Sequence, residues 1–542
     1  NATRVTTTSG NVTITGIGSF NATGEFNNGV VIEGRGNLVS TATGGITISG
    51  YGDAYNNGAS SDNNQGVLII GKANTAGDAV TVSVTGAGKA IVITGLGGGD
   101  GSSSNSGVDA TYARITSSSA TAGISITGFA DANNVSTLDS SNYGVRIDNS
   151  VVSSANATGD AIFVTGSGAG TGDNSSGVRL SSSTLTSSGG NDLAAIQVHG
   201  AGAPGDANNR GVEVTASTIT SAQGYVWLSG SANGSGANNE GVLVDNSRIA
   251  LNGGAGNTGI YIDGNSLGGT TDGNGVRIAN STLTSAGNDG FEAIYLSGSA
   301  SGSGAGNHGV STVGSTLTTS GGSGADRIYI EGHGSNGVAA NVGVRLDSSS
   351  LTTNGGHFEI SVTATASDPG AFGILVTNNT TLGSTSGDIC LIGEVPSTAT
   401  PTAAIALQTG TNIIQTTSGQ VALTAVNGGI DLGLAAGGDT AIIRGTSTTS
   451  EAAVSLISDN GVNQYTGSIA AGGTGGGLLL SGSGAFYLES SANNLANLAA
   501  NITNNATTGI DATLVLTETD GFTISKLDAC TTCTTLTVSG VT

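Results

Sequence analysis

The chain of 542 residues has no methionine, four prolines, three cysteines and few aromatic or charged side chains, 4% and 9% of the sequence. These values argue against the thick aromatic core of an ordinary globular domain. Any run of about 18 apolar residues is also missing, so we expect no membrane-spanning helix. Neither a charged-then-apolar signal sequence nor an initiator methionine opens the chain. The sequence therefore indicates a processed product or a segment of something longer.

Basic residues are scarce as well, with 14 Lys and Arg against 37 Asp and Glu, which gives a net charge of −23. Nucleic acids and anionic membrane surfaces are bound by clustered Lys or Arg. We therefore expect no nucleic-acid partner and no membrane insertion. The negative charge would keep a strand-rich polymer soluble.

Glycine, by contrast, is abundant, with 94 residues, and it marks a repeat. Gly followed by Val or Ile opens eleven units at an average interval of about 34 residues, a fixed period that indicates a repeat architecture. Each unit holds three short apolar-alternating runs bounded by Gly, Ser, Asn or Asp, such as GVRI, STLTS and AIYLSG. The marking glycines are Gly29, Gly66, Gly107, Gly144, Gly177, Gly211, Gly241, Gly275, Gly309, Gly343 and Gly373.

Three short strands cannot bury an apolar face alone, so each unit must stack on its copies. The prediction is an all-β parallel β-helix or solenoid, an elongated rod with three short strands per coil of about 34 residues. Strand alternation points Val276 and Ile278 inward and Arg277 outward into a solvated slot. Asn before the Gly-Val pair suits a turn through left-handed backbone and a stacked amide ladder. These residues are Asn28, Asn64, Asn105, Asn142, Asn209, Asn239, Asn274 and Asn307.

The outward slot of GVRI is variable in type, as a solvated position would be. It holds Arg146, Arg179, Glu213, Leu243 and Arg345.

The repeat is regular over residues 1–372 and loosens over 373–542, which we interpret as a less regular continuation of the same solenoid. Leu495, Leu498 and Ile502 are spaced for one face of a helix behind Ser491 as a cap. The sequence therefore predicts a short helix near 491–502.

The repeat pattern GVxVxxSxLTSxGGxxIxLxGxG, with the later SGAFYLESSANNLANLAANI and TETDGFTISKL, resembles filamentous-haemagglutinin-type exoproteins and related giant bacterial surface adhesins. The likeness covers nearly the whole chain. It implies a right-handed parallel β-helix that is exported to the cell surface and displayed as an adhesin shaft or extracellular fibre.

Both ends of the chain are alternating strands with almost no charge and no proline, so they lack the devices that protect an open sheet edge. Such edges must continue into more chain or meet another subunit, and a head-to-tail contact that does not close gives a filament. We therefore predict a structural subunit or segment of an extracellular bacterial filament or adhesin shaft, with itself and a glycan or host-surface receptor as partners. The predicted assembly edges are Val5, Thr7, Val12, Ile14, Leu536, Val538 and Val541.

An enzyme acting on polysaccharides is an alternative on this fold. It would need two or more carboxylates converging from adjacent coils. Acids occur at Asp148, Glu213, Asp245 and Asp263, but no acidic or His-bearing cluster recurs on neighbouring units. We therefore predict no catalytic residue.

A second alternative is an ice-binding or glycan-binding surface made of an outward hydroxyl array. Thr-x-Thr pairs stand at the same position of successive middle strands, although Thr is also favoured in strands generally. Arg248 and Ala250 interrupt the column. The array consists of Thr184, Thr186, Thr218, Thr220, Thr282, Thr284, Thr316 and Thr318.

Cysteine and metal signals are weak. Cys530 and Cys533 form a C-x-x-C that suits a local disulfide, unpaired thiols or, least well, a metal, because the four histidines are scattered. Cys390 stands alone and could pair across chains. The calcium nonapeptide is not repeated, so we expect no cofactor beyond weak, diffuse calcium binding.

Overall fold

The computed structural model describes residues 2–19, 25–52, 62–75, 77–87, 89–98, 103–130, 140–189, 194–253, 259–286, 292–320, 327–335, 341–354, 359–365, 371–396, 403–434, 437–473 and 475–529. Over these ranges the fold is all-β, with 49 strands and no helix. None of the described segments is therefore a helix that could cross a membrane. The chain divides into two compact units, Asn1–Gly287 and Asn288–Thr542.

Unit 1 stacks its strands into three parallel sheets, which we call A, B and C. Sheet A contains β1 (Arg4–Thr7), β4 (Leu38–Thr41), β7 (Val80–Val84), β10 (Ala113–Ser117), β13 (Val151–Ser154), β16 (Thr184–Ser187), β19 (Thr218–Ser221), β22 (Arg248–Leu251) and β25 (Thr282–Ser285). Sheet B contains β2 (Val12–Ile17), β5 (Ile46–Tyr51), β8 (Ile91–Leu96), β11 (Ile124–Phe129), β14 (Ile162–Ser167), β17 (Ala194–Ala201), β20 (Tyr225–Ala232) and β23 (Ile260–Ser266). Sheet C contains β3 (Val30–Glu33), β6 (Val67–Ile70), β9 (Val108–Thr111), β12 (Val145–Asp148), β15 (Val178–Ser181), β18 (Val212–Thr215), β21 (Val242–Asp245) and β24 (Val276–Ala279).

Unit 2, taken by itself, also stacks its strands into three parallel sheets, to which we give the same letters. Sheet A contains β28 (Thr316–Thr319), β31 (Ser350–Thr353), β34 (Thr381–Ser384), β37 (Thr411–Thr416), β40 (Thr440–Thr446), β43 (Gly467–Gly472) and β46 (Asn494–Leu495). Sheet B contains β26 (Glu292–Ala300), β29 (Arg327–His333), β32 (Glu359–Thr365), β35 (Ile389–Glu394), β38 (Val421–Val426), β41 (Val454–Ser458), β44 (Leu478–Ser483), β47 (Asn497–Thr503) and β49 (Thr523–Ile524). Sheet C contains β27 (Val310–Val313), β30 (Val344–Asp347), β33 (Ile374–Thr377), β36 (Ala403–Gln408), β39 (Gly429–Leu432), β42 (Val462–Gln464), β45 (Ala485–Leu488) and β48 (Thr513–Leu516).

Pairing is parallel and skips the neighbours in sequence, so each strand bonds to the same strand of the next turn. Val145 pairs with Val178, and Val178 pairs with Val212. This confirms the predicted parallel β-solenoid with three strands per turn. Alternation sets the core as expected: Val276 and Ile278 are fully buried, whereas Arg277 is partly exposed.

Glycine is required where sheet B bends towards sheet C. A Cβ on Gly128 would overlap the carbonyl oxygen of Gly144, and the same clash joins Gly95 to Gly107. Because backbone fills the space that a side chain would need, glycine recurs at this position in each turn of unit 1, whereas Ala425 and Ser458 occupy it in unit 2. The Gly-Val period of the sequence therefore results from the close backbone contact at this corner.

Part of the predicted asparagine ladder is present at the same corner, although Asn27 takes the place predicted for Asn28 and Asn274 lies one position off it, in the column of Glu240. The main-chain N–H of Asn64 donates to Oδ1 of Asn105 at 2.8 Å, and Asn209 donates in the same way to Asn239 at 2.8 Å. The left-handed backbone lies one residue earlier than we predicted. The ladder residues are preceded by Asn63, Ser104, Ser141, Asn208 and Asn238, with φ between 54° and 64°.

Residues 494–503 form the strands β46 and β47, so the helix predicted near 491–502 is wrong. Leu495 and Leu498 are buried because they end one strand and begin the next across a corner at Ala496. The corner gives the two leucines the three-residue spacing that is also typical of a helix. The backbone N–H and C=O groups bond to β43 and β44 and not within a helix.

Candidate functional site: an open first turn and the outer faces

The first turn of unit 1 has an open edge. Its strands β1, β2 and β3 pair with β4, β5 and β6 and have no partner on the other side among the described residues. Val5 lies opposite buried Val39 but is itself 45% exposed. In the turns that follow, neighbouring turns cover such inward side chains. In the first turn they can be reached from outside.

The predicted edge residues of the amino-terminal end come together there. Val5 and Thr7 lie on β1, and Val12 and Ile14 lie on β2 of the same turn. Thr7 and Ile14 are partly exposed and Val12 is buried. The other predicted edge residues, Leu536, Val538 and Val541, lie outside the described residues.

The last described turn of unit 2 also leaves inward positions uncovered by other described residues. Leu514 pairs with Phe486, which is fully buried, yet Leu514 is 38% exposed. Ile524 pairs with Leu498 and is 80% exposed.

The segment after β49 turns back onto the outer face of sheet B. The main-chain N–H of Ala452 donates to the carbonyl of Asp528 at 2.8 Å. Leu527 and Ala529 form a buried apolar cluster with Ala452, Leu479 and Ala499. Outward-facing residues of this sheet are consequently buried.

Cys390 belongs to that same outward column, since it pairs with Ala422 and the column continues to Leu479. It is buried and disulfide-bonded. Cys530 and Cys533 lie outside the described residues. A disulfide between Cys390 and another residue of this chain would have to use Cys530 or Cys533. Because the chain has three cysteines, that disulfide would exclude a Cys530–Cys533 bond.

The predicted threonine array lies on the outer face of sheet A. Thr184 and Thr186 are in register with Thr218 and Thr220, and all four are partly exposed. The interruption is present as expected, because Arg248 and Ala250 occupy the next positions. The remaining members, Thr282 and Thr284 in unit 1 and Thr316 and Thr318 in unit 2, lie on β25 and β28.

The outer face of sheet C carries interleaved charges in place of the independently solvated residues that we expected. Nη2 of Arg146 lies 2.6 Å from Asp148, and Nη1 lies 3.3 Å from Asp109. Burial raises the pKa of Asp109 more than Arg146 lowers it. Glu213 lies between two guanidinium groups at 3.7 and 3.6 Å, those of Arg179 and Arg210.

Leu243 and Asp245 are two further residues of sheet C that the sequence singled out. Leu243 is buried, so its slot is not solvated. Asp245 accepts a hydrogen bond from the side-chain amide of Asn280 at 3.2 Å. Two other acids singled out from the sequence form ion pairs, Asp148 with Arg146 and Glu213 with Arg179. No group of three or more His, Cys, Asp or Glu suited to a metal occurs in the parts of the chain that the structure describes.

The outer face of sheet B in unit 1 carries an aromatic cluster that the sequence analysis missed. Trp227 donates from Nε1 to Oδ2 of Asp263 at 2.9 Å. The ring of His199 lies 4.7 Å from the indole in an edge-to-face arrangement, and Phe163 lies 5.6 Å beyond His199. Burial lowers the pKa of His199 and raises that of Asp263. The one signal in the sequence was the single tryptophan.

Comparison of the sequence with protein-family models gave no match, and comparisons with curated proteins and with solved structures gave none either.

Proposed function

We propose that this chain is a structural segment of an extracellular filament or adhesin shaft, extended by stacking further strands on its open first turn. The observation that supports the proposal most directly is Val5, an inward residue of β1 that is 45% exposed. The solenoid fold is compatible with such a shaft. We propose that another copy of the chain supplies the added strands.

The chemistry of the edge favours strand addition. A parallel edge presents unpaired N–H and C=O groups that another strand can satisfy, and proline or an inward-pointing charge is a common device that prevents this. None of β1, β2 and β3 contains proline or a charged residue at an inward position. A new turn would also cover Val5 and Ile14, which adds apolar burial to the backbone hydrogen bonds.

Export to an oxidising compartment is part of the proposal. Cys390 is disulfide-bonded, and structural disulfides persist mainly outside the cytosol. The net charge of −23 would oppose lateral clumping of a polymer, whereas the edge strands β1, β2 and β3 carry only Arg4 and Glu33 as charged residues.

The experiment compares two lysine substitutions in the same turn. Val5→Lys places a charge in the inward column of the edge, whereas Val31→Lys changes a residue of almost equal exposure, 44%, next to an inward position of β3. Sedimentation velocity over a concentration series and negative-stain electron microscopy would measure association. We expect end-joined particles for the wild type and for Val31→Lys, and single particles for Val5→Lys.

Two results would contradict the proposal. One is a wild-type chain that stays single at every concentration tested. The other is association that both lysine variants retain equally, because it would have to use a surface other than the first turn.

A further inference from the structure

Two columns of side chains run along the outer face of sheet B in unit 1. The first column places Phe163, Gln197, Trp227 and Tyr261 in register over successive turns. The second places Thr165, His199, Ser229 and Asp263 beside them. All eight side chains are partly exposed. The face therefore combines rings and polar groups at the surface, away from the edge of the first turn.

Two contacts fix the orientation of the Trp227 indole. Its N–H lies in the ring plane and points at Asp263, one turn further along the stack, at 2.9 Å. On the preceding turn the plane of the His199 ring is inclined at 89° to that of the indole, so these two rings are not stacked. Neither contact lays another ring flat on the indole.

A pair of tyrosines in unit 2 shows the opposite arrangement. The rings of Tyr295 and Tyr329 are parallel within 3° at 5.5 Å, so each covers a face of the other. In unit 1 the indole of Trp227 is fixed in orientation, is partly exposed and is not stacked on the ring of His199. A fixed ring loses little conformational entropy when something stacks on it.

Polar groups surround this ring at fixed positions. Nε2 of His199 lies 3.1 Å from Oε1 of Gln197, which orients the glutamine amide. Asp263 uses Oδ2 for the indole, and Ser229 supplies a hydroxyl from the same strand as Trp227. An apolar ring face with a few oriented polar groups at its rim suits a ligand that has one apolar face and a rim of hydroxyls.

Pyranose sugars have that shape, because their axial C–H groups form an apolar face and their equatorial hydroxyls point outward. Charge selects among them. The two columns contain Asp263 and no Lys or Arg, and the chain as a whole carries −23. An anionic sugar would be repelled, and a nucleic acid would find no phosphate contact.

We propose that this face of unit 1 binds a neutral glycan, with one pyranose ring stacked on Trp227 and hydroxyls bonded to Asp263 and Gln197. Phe163 and Tyr261 occupy the same column on either side and extend the platform along the stack. Strand spacing of about 4.8 Å places one outward position per turn, close to the length of one sugar ring. The site goes beyond the proposed shaft function and does not depend on end-to-end association.

The single tryptophan makes the test direct, because intrinsic fluorescence reports on Trp227 alone. Cellohexaose, mannohexaose and maltohexaose would be titrated into the full chain, with trigalacturonic acid as the anionic probe. We expect a saturable change in Trp227 fluorescence with at least one neutral hexasaccharide and none with the anionic sugar.

Isothermal titration calorimetry of variants then tests which residues contribute to glycan binding. Trp227→Ala should weaken binding by at least about tenfold, the loss of one stacking contact, and Trp227→Phe should recover part of it. Tyr329→Ala, in the self-stacked pair of unit 2, is the matched control and should bind as the wild type does. Circular dichroism would verify that each variant is folded.

The proposal is overturned if none of the three neutral hexasaccharides binds at millimolar concentration, if trigalacturonic acid binds instead, or if Trp227→Ala binds normally. Its failure is separable from that of the shaft proposal. Val5→Lys should leave glycan binding intact, and Trp227→Ala should leave end-to-end association intact.

Discussion

The carboxylate of Glu240 lies 2.7 Å from Nε of Arg210 and is completely shielded from solvent. Arg277 reaches the same carboxylate from the next turn at 3.4 Å, and Arg210 also lies 3.6 Å from Glu213. Charges of opposite sign are therefore interleaved along sheet C. Such a network makes each member costly to remove, because its partners stay buried.

Glu240→Ala should lower the free energy of unfolding of unit 1 by about 3–5 kcal/mol, since it leaves two guanidinium groups without their shared carboxylate. Arg35→Ala is the control, because Arg35 is paired with Asp78 but is 61% exposed, and pairs of that kind contribute about 0–1 kcal/mol. Urea denaturation followed by circular dichroism measures both. Equal shifts in the two variants would show that burial of the network contributes nothing.

Gly128→Ala should destabilise unit 1 by about 3 kcal/mol, since the new Cβ would overlap the carbonyl of Gly144 and force the corner apart. Gly159→Ala is a matched change in the same unit, where the nearest atom to the new Cβ is Nδ2 of Asn156 at 3.6 Å. We expect it to be within about 0.5 kcal/mol of the wild type, as surface substitutions usually are. Thermal melts of the two variants side by side provide the comparison, and similar melting temperatures would refute the close corner.

These glycines explain how much of the fold could be predicted. Gly128 and Gly144 are required by a local backbone contact that recurs with every turn of unit 1, so the architecture can be predicted from the period of the sequence. The ladder was predictable for the same reason, but its left-handed residue was not placed correctly, because αL backbone tolerates Ser104 as well as Asn63. A corner at Ala496 imitated helical spacing and produced the one wrong element.

The outer faces could not be predicted in the same way. Arg210 meets Glu240 across 30 residues, and Trp227 meets Asp263 across 36. Loop lengths vary between turns, so which outward residues become neighbours depends on the exact register of every turn. Alternation alone shows that a residue points outward, and says nothing of its partner.

Trp227 should report the protonation of His199. Burial lowers the pKa of His199 below its ordinary value of 6.5, so the folded chain favours the neutral ring. The stability that this contributes is complete above pH 6.5 and is lost as the pH falls through the lowered pKa. A protonated imidazole beside an indole quenches its fluorescence, so emission should fall with a midpoint below pH 6.5.

The control for this titration is His199→Gln, which should remove that transition. Asp263 also faces the indole, with a pKa raised by burial, so any transition that survives in the variant belongs to the carboxylate. A midpoint above pH 6.5, or an unchanged curve in His199→Gln, would contradict the burial of the ring.

Reduction should destabilise unit 2. Cys390 is buried and disulfide-bonded, and removing a native disulfide typically costs about 2–5 kcal/mol. Cys390→Ser should therefore lower the urea midpoint of unit 2 and expose the region around Leu527 to proteases. Peptide mapping without reduction identifies the partner, and Cys530→Ser and Cys533→Ser separate the two candidates. A free thiol at Cys390 in the unreduced, unfolded chain would rule this out.

The open first turn is tested most directly by cryo-electron microscopy of the associated wild-type chain at a resolution that separates strands. We expect β1, β2 and β3 of one copy to continue the three sheets of another copy at the ordinary strand spacing of about 4.8 Å. Copies joined through the outer faces of their sheets, with the first turn left exposed to solvent, would contradict it.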